Sequence, residues 1–222
     1  MKSQTISRIG IVSGCVLLAL VLALTTPVMA QRGGNGNGSG NGNGPGQGSG
    51  FAATSQPLTD AEAAWLTYMR EEEKLARDVY LFMYGKWNAV IFTQVADSEQ
   101  QHMDTMKKML DKYNLPDPAS TEIGDFNNLD LQAKYDELIA AGSDSYVDGL
   151  YVGATIEEID MIDIQEAIDF CDHVDLLTAY QHLLEGSKNH LRAYVGTLEK
   201  QGFTYEPQFI SQELFDAIMG LL

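Results

Sequence analysis

Glu99 and His102 are the residues whose types and spacing point most directly to chemistry. Residues three positions apart lie on one face of a helix, and Glu-x-x-His is a spacing with which helices supply ligands to di-metal carboxylate proteins. An ionisable pair on a buried face is costly unless it is neutralised or binds a metal. The rest of the face is apolar and consists of Phe92, Val95, Ala96, Met103, Met106 and Leu110. The pair is therefore a candidate part of a metal site whose other ligands must come from other helices.

Three further segments with helical periodicity each carry a polar residue in the middle of an apolar stripe. In chain order Glu73 interrupts the first helix, Glu157 the third and His190 the fourth. Three carboxylates and two imidazoles in one core cannot all remain unpaired, and a pair of divalent metal ions would compensate their charge. Oxygen and imidazole ligands suit iron or manganese. The residues alone therefore predict metal ligands at Glu73, Glu99, His102, Glu157 and His190.

Four long helices must position these residues, and the sequence indicates where they begin and end. Thr59 and Glu62 form a capping box before the first helix, and Gly85 is expected just after it. Asp175 is the expected N-cap of the fourth helix. A long connection between the second and third helices allows a crossover. The predicted long helices span about residues 60–84, 89–113, 147–171 and 175–201, with short helices at about 129–141 and 212–221.

The first fifty residues are expected to lie outside the fold. Residues 1–30 indicate a secretory signal peptide, in which Lys2 and Arg8 give a basic start, residues 9–24 an apolar core and Ala30 a small residue suited to cleavage. Residues 31–50 form a flexible linker rich in Gly, Asn and Ser. We therefore predict an exported protein, periplasmic or extracellular, with one domain at 51–222. The alternatives are an uncleaved membrane anchor and lipidation at Cys15.

The formal net charge of −17 argues against a nucleic-acid partner, because phosphate binding needs clusters of Lys and Arg. An acidic surface attracts cations and favours solubility. Cys171 is the one cysteine left after removal of the signal peptide, so no intramolecular disulfide is expected. The expected partners are therefore metal ions and a small oxidant. The protein partner that we consider is a second copy of the chain, in a homodimer.

Several sequence blocks resemble ferritin-like proteins. The run from Glu73 to Tyr80, with a tyrosine seven residues after the glutamate, resembles the first-helix motif of rubrerythrins and ferritins. The segment from Phe92 to His102 resembles their second helix. The blocks EEEKLARDVY, VADSEQQHM, GATIEEIDMID and GSKNHLRAY together resemble an uncharacterised ferritin-like family, domain-of-unknown-function family 2202. The resemblance covers nearly all of residues 58–219. It implies an all-α fold, a ferritin-like antiparallel four-helix bundle with a long crossover and a short C-terminal helix.

The resemblance also implies a function and a set of roles. It implies a non-haem di-metal centre with two iron ions, or manganese in their place, that oxidises iron(II) or reduces peroxide. The carboxylates would bind and bridge the metals, and each histidine would bind one of them. Tyr80, Tyr194 and Tyr180 would supply or gate electrons or protons. Ser187 stands where ferritin-like proteins usually carry a second bridging glutamate, and Asp160 is the candidate to replace that glutamate. The alternative is a site with one metal ion or an asymmetric pair.

Two other functions remain open at this stage. One is a non-catalytic domain that binds or sequesters metal. The other is a purely structural bundle, in which the buried acids are neutral or paired with Arg77 and Arg192. The same sequence predicts that His173 and His182 are ordinary surface histidines, because both fall off the apolar stripe or at a helix end.

Overall fold

The computed structural model describes residues 56–221, and this part of the chain is helical, with no β-strand. The all-α class is therefore confirmed. The predicted signal peptide and linker, together with residues 51–55, lie outside the described residues. Within residues 56–221, no helix combines the length and hydrophobicity that a membrane crossing requires. The helices are α1 Asp60–Trp87, α2 Val90–Lys112, α3 Leu129–Ala141, α4 Tyr146–Asp169, α5 Val174–Lys200 and α6 Gln212–Met219.

The helix ends agree with the sequence in part. The capping box at Thr59 and Glu62 is confirmed, since each residue's side chain accepts from the other's backbone N–H. The predicted end of α1 is wrong, because the helix continues through Gly85 and ends at Asn88, whose φ of 50° is left-handed. Asn tolerates this conformation. The predicted N-cap at Asp175 is also wrong, because α5 begins at Val174 and Asp175 lies in its first turn.

The four long helices contact one another in a cycle. α1 packs along α2 and α4 packs along α5, while α1 also contacts α4 and α2 contacts α5. Only Asn88 and Ala89 separate α1 from α2, so the two helices run antiparallel. The connection from α2 to α4 carries α3, which packs against α1 and α4, and α6 packs against α5.

A polar layer divides the core into two hydrophobic clusters. The first cluster includes Val79 and Phe92, and the second includes Leu66 and Leu110. On α1, α2 and α5 the polar candidates therefore fall between residues of the two clusters, whereas on α4 Glu157 lies among residues of the first cluster, which extends to Met161. The buried polar residues at this level are Glu73, Glu99, Glu157, Asp160, Ser187 and His190. The layer would carry a large desolvation cost without compensating charge or hydrogen bonds.

Other buried acids hold loops against the helices. Glu71 accepts from the backbone N–H of Asn127, at 2.8 Å, in the connection before α3. Glu158 is fully buried and accepts from one phenol and three backbone N–H groups, those of Tyr205, Gln208, Phe209 and Ile210. The sequence places Glu71 and Glu158 off the apolar stripes, yet both are buried. The reason is that the connection and the C-terminal tail cover the outer faces of α1 and α4.

Candidate metal centre

Five of the predicted ligands meet at the centre of the polar layer. α1 contributes Glu73, α2 contributes Glu99 and His102, α4 contributes Glu157 and α5 contributes His190. They form two overlapping triads, Glu73–Glu99–His102 and Glu99–Glu157–His190, and within each triad one ligating atom per residue lies within 4.8 Å of the others. Glu99 belongs to both triads. Each triad thus combines two carboxylates and one imidazole.

Glu99 divides its two oxygens between the two histidines. Its Oε2 lies 2.7 Å from His102 Nδ1, and its Oε1 lies 2.8 Å from His190 Nδ1. Each Nδ1 also approaches a second carboxylate: Glu73 Oε2 is 3.1 Å from His102, and Glu157 Oε2 is 3.4 Å from His190. For metal–ligand bonds of about 2.1 Å, octahedral geometry places neighbouring ligand atoms about 3 Å apart. The distances between each imidazole and its two carboxylates are therefore compatible with ligands of one metal ion.

Several atoms of the centre are buried without a hydrogen-bond partner among the described residues. They are Glu73 Oε1, Glu99 Oε1 and His190 Nδ1. Glu99 Oε1 and His190 Nδ1 are close to each other, but they lack the alignment of a hydrogen bond. Buried polar atoms in native proteins nearly always have a partner, and a site for a bound ion is one recognised reason for an exception. These atoms therefore fit the ligand set of a metal.

The electrostatics of the centre also favour a cation. Burial raises the pKa of Glu73 to about 7, although His102 opposes the shift. Burial acts in the same direction on Glu99, but the neighbouring imidazoles of His102 and His190 outweigh it and lower the pKa of Glu99 to about 2. Burial lowers the pKa of each histidine, yet the carboxylates raise it, to about 12 for His102 and about 11 for His190. Without metal, protonated imidazoles therefore offset part of the carboxylate charge.

Asp160 lies beside the two triads and belongs to neither. Its carboxyl group is hydrogen-bonded to the Ser187 hydroxyl. Burial, together with the charges of Glu73, Glu157 and Glu99, raises the pKa of Asp160 well above its usual range. Ser187, which stands where a second bridging glutamate is expected, is thus hydrogen-bonded to Asp160, the candidate to replace that glutamate. The role of Asp160 as a metal ligand stays a prediction.

The predicted tyrosines lie in two different places. Tyr80 donates a hydrogen bond to Glu157 Oε1, and the ring of Tyr194 lies 5.4 Å from the Tyr80 ring. The Tyr194 hydroxyl is buried without a hydrogen-bond partner among the described residues. A Cβ atom at Gly153 would lie 2.5 Å from the Tyr194 ring, so glycine is needed there. Tyr180 packs in the hydrophobic cluster that also holds Trp65 and Leu66, away from the other two tyrosines.

Comparison with known proteins assigns the chain to a family. The family model described as "Uncharacterized protein domain (DUF2202)" matches residues 62–220. The chain belongs to this family. An uncharacterised protein of Methanocaldococcus jannaschii is 47% identical over 166 residues, which are 74% of this chain and 90% of that protein. The crystal structure of the same hypothetical protein matches with a TM-score of 0.73 and 46% identity, over 75% of this chain and 95% of that one.

The predicted resemblance to family 2202 is therefore confirmed. Neither the family description nor the name of the archaeal relative assigns an activity. The function of this family member must accordingly be argued from the geometry of its polar layer.

Two residues that support the histidines are less evident in the sequence of this family member. Ser98, which precedes Glu99 on α2, lies with its Oγ 2.9 Å from His190 Nε2. Sequence reasoning missed Ser98, and its position beside a candidate ligand was the one available signal. Gly186 lies in the interior of α5, and a Cβ atom there would lie 2.5 Å from His102 Cε1 and Nε2. The glycine thus makes room for the imidazole.

The two arginines do not neutralise the centre. Arg77 contacts Asp78 and Gln100. Arg192 donates to the Ile218 carbonyl and to Asn189. Arg77 thus pairs with the buried acid Asp78, and among residues 56–221 neither arginine pairs with a carboxylate of the centre.

His173 lies at a helix end, as predicted, but it is half-buried, whereas the prediction that His182 lies at the surface is confirmed. His173 Nδ1 lies 2.6 Å from Glu62 Oε1, because the turn between α4 and α5 folds over the start of α1. His182 is exposed.

Proposed function

We propose that this protein binds two divalent first-row metal ions inside a ferritin-like four-helix bundle. Glu73 and His102 hold one ion, Glu157 and His190 hold the other, and Glu99 bridges them. The observation that carries the proposal is the division of Glu99, whose two oxygens lie 2.7 and 2.8 Å from the Nδ1 atoms of two different histidines. Iron is the proposed metal and manganese the alternative, because carboxylate and imidazole ligands suit both.

The helix order supports the ferritin-like part of the proposal. Two helical hairpins, α1–α2 and α4–α5, are joined by a long connection, and each hairpin contributes a glutamate from its first helix and a histidine from its second. Ferritin-like carboxylate proteins build their centres from four facing helices in this way. The position of Ser187 departs from that pattern. Asp160 is the further acid in the proposal, since its buried carboxyl group is held by the Ser187 hydroxyl beside the centre.

The proposed chemistry is oxidation of iron(II) or reduction of peroxide. Iron bound at such a centre supplies one-electron chemistry with dioxygen or peroxide. Tyr80 orients Glu157, because its hydroxyl occupies Oε1 and leaves Oε2 toward His190. Tyr194, whose ring is 5.4 Å from Tyr80, provides a second buried phenol at the same side. Tyr80 and Tyr194 are thus the proposed redox or proton-handling residues. Non-catalytic metal sequestration would use the same ligands.

Metal analysis tests the binding part of the proposal. We expect two metal ions per chain after purification with iron and removal of loosely bound metal. Glu73→Gln and Glu157→Gln should each retain one ion, and Glu99→Gln should retain neither tightly. Glu71→Gln is the matched control, because Glu71 is a buried α1 glutamate that contacts Asn127 instead of a histidine. Two ions that persist in Glu99→Gln would contradict the proposed centre.

Iron(II) oxidation tests the catalytic part. In stopped-flow measurements the wild-type protein should oxidise added iron(II) faster than buffer, and Glu99→Ala and His190→Ala should lose that acceleration. Tyr80→Phe should retain two metal ions and react more slowly. A wild-type protein that binds two ions without accelerating either iron(II) oxidation or peroxide reduction is a sequestering protein.

A further inference from the structure

The two halves of the proposed centre differ in the hydrogen bonds made by those ligand atoms that do not face the metal positions. In the half formed by Glu157 and His190, the Tyr80 hydroxyl contacts Glu157 and the Ser98 hydroxyl lies 2.9 Å from His190 Nε2. In the other half, Glu73 Oε1 has no hydrogen-bond partner among residues 56–221. His102 Nε2 likewise has none there, and it faces the Cα of Gly186. One half is therefore held by two hydroxyl groups and the other by none.

Ser98 is well placed to set the orientation of His190. It lies on α2, half-buried, one residue before the shared ligand Glu99, while His190 lies on the facing helix α5. His190 Nε2 lies in hydrogen-bonding distance of Ser98 Oγ, and Nδ1 is directed at Glu99 and Glu157; with Nδ1 as the metal ligand, Nε2 carries the proton and donates to Ser98. A hydrogen bond to the second nitrogen of a metal-binding histidine fixes its tautomer and its ring orientation. α2 thus provides both a ligand of this position and the group that orients its imidazole.

We propose that Ser98 is a positioning residue that makes the Glu157–His190 position the tighter of the two metal positions. The inference rests on the proposed function, because it requires two metal positions. Loss of such an outer partner typically lowers metal affinity about 10- to 100-fold. The centre therefore fills in order: the Glu157–His190 position first, and the Glu73–His102 position second. The second position is the one from which a metal ion exchanges more readily.

Titration of the metal-free protein with cobalt(II) alone tests this order, since cobalt(II) absorbs in the visible range and its spectrum reports its ligands. We expect two binding steps in the wild-type protein. Glu157→Gln should remove the tighter step and Glu73→Gln the weaker one. Ser98→Ala should weaken the tighter step by about 10- to 100-fold and leave the weaker step in place.

Two further variants separate positioning from a general effect on folding. Ser98→Thr keeps the hydroxyl and should restore the tighter step and its spectrum. Thr105→Val is the matched control, because the Thr105 hydroxyl lies on the same helix but donates to the Gln101 carbonyl. It should bind cobalt(II) as the wild-type protein does. The thermal unfolding midpoint of the metal-free Ser98→Ala protein should match that of the wild-type protein.

Each outcome distinguishes this inference from the proposed function. Two steps that Ser98→Ala leaves unchanged, or weakens equally, overturn the role of Ser98 and keep the di-metal centre. Removal of the tighter step by Glu73→Gln overturns the proposed order. A wild-type protein that binds no cobalt(II) overturns the centre itself.

Discussion

Glu157 and Glu158 are neighbours on α4 and are both buried, but their carboxylates have different partners. Glu158 accepts from the Tyr205 hydroxyl and from three backbone N–H groups of the C-terminal tail, at 2.6 to 3.1 Å for its Oε2. Glu157 meets the Tyr80 hydroxyl and an imidazole. α1 repeats the contrast, since Glu71 accepts from Asn127 N–H whereas Glu73 faces His102.

These two pairs of glutamates show that burial alone does not identify a functional acid. Backbone N–H groups are permanent donors, so a glutamate that they surround is satisfied and serves the fold. An imidazole can lose its proton, so a glutamate that faces one can exchange that proton for a metal ion. The donors around a buried carboxylate therefore separate the acids that clamp loops from those that form the proposed centre.

The largest expected effect is on the free energy of unfolding when Glu157 and Glu158 are each replaced by glutamine in separate variants. Glu158→Gln puts an amide NH₂ against backbone donors and should lower the free energy of unfolding of the metal-free protein by about 3 kcal/mol or more. Glu157→Gln should lower it by less than Glu158→Gln does, because the partners of Glu157 are fewer. Chemical denaturation of both metal-free variants measures the difference.

Metal content should show the opposite order, because Glu157 is a proposed ligand and Glu158 is not. Below its unfolding temperature, Glu158→Gln should still bind two metal ions per chain, and Glu157→Gln should bind one. Equal losses of stability, or equal losses of metal, would remove the distinction between the two kinds of acid.

The next effect concerns pH. His102 and His190 face Glu73 on α1, Glu99 on α2 and Glu157 on α4, and these carboxylates raise the pKa of the imidazoles to about 12 and about 11. Both imidazoles are therefore protonated near neutral pH without metal. Each metal ion must displace one imidazole proton, so affinity at each position should rise about tenfold, or about 1.4 kcal/mol, per pH unit from pH 8 to 9, above the pKa of about 7 at which Glu73 loses its own proton. Calorimetric titration in buffers of different ionisation enthalpy counts the released protons.

The raised pKa values of the two histidines also determine how the stability of the metal-free protein changes with pH. The folded-state pKa of each histidine lies above its unfolded value of about 6.5. Their contribution to stability is fully present below that value and is lost as the pH rises through the folded-state pKa values. Metal affinity and metal-free stability should thus change in opposite directions as the pH rises. An affinity that does not depend on pH would show that the imidazoles are not ligands.

The smallest effect compares two glycines of α5. A Cβ atom at Gly196 meets no neighbour within 4 Å, so Gly196→Ala should raise the free energy of unfolding by up to about 1 kcal/mol. A Cβ atom at Gly186 would lie 2.5 Å from the His102 ring. Gly186→Ala should therefore gain less stability and should weaken metal binding at the Glu73–His102 position. Thermal unfolding and cobalt(II) titration of the two variants test this, and equal behaviour would show that His102 does not need the space.

The sequence by itself predicted the class of the fold and most of the proposed ligands. Hydrophobic periodicity gave the four long helices, with ends that differ from the observed ones by up to three residues. A polar residue on an apolar stripe is visible without a structure, because a helix has a fixed period. Glu73, Glu99, His102, Glu157 and His190 were therefore predictable, and the structure brings them together.

Contacts made by loops and across helices were decided only by the tertiary structure. Glu158 is buried because the C-terminal tail covers it. The periodicity of α4 cannot predict this contact, because the tail lies fifty residues further along the chain. Ser98 reaches His190 only because α2 and α5 face each other. Asp160 contacts Ser187 for the same kind of reason. The spacing of residues along a helix thus determined which side chains point inward, whereas the packing of distant segments determined which partners they meet.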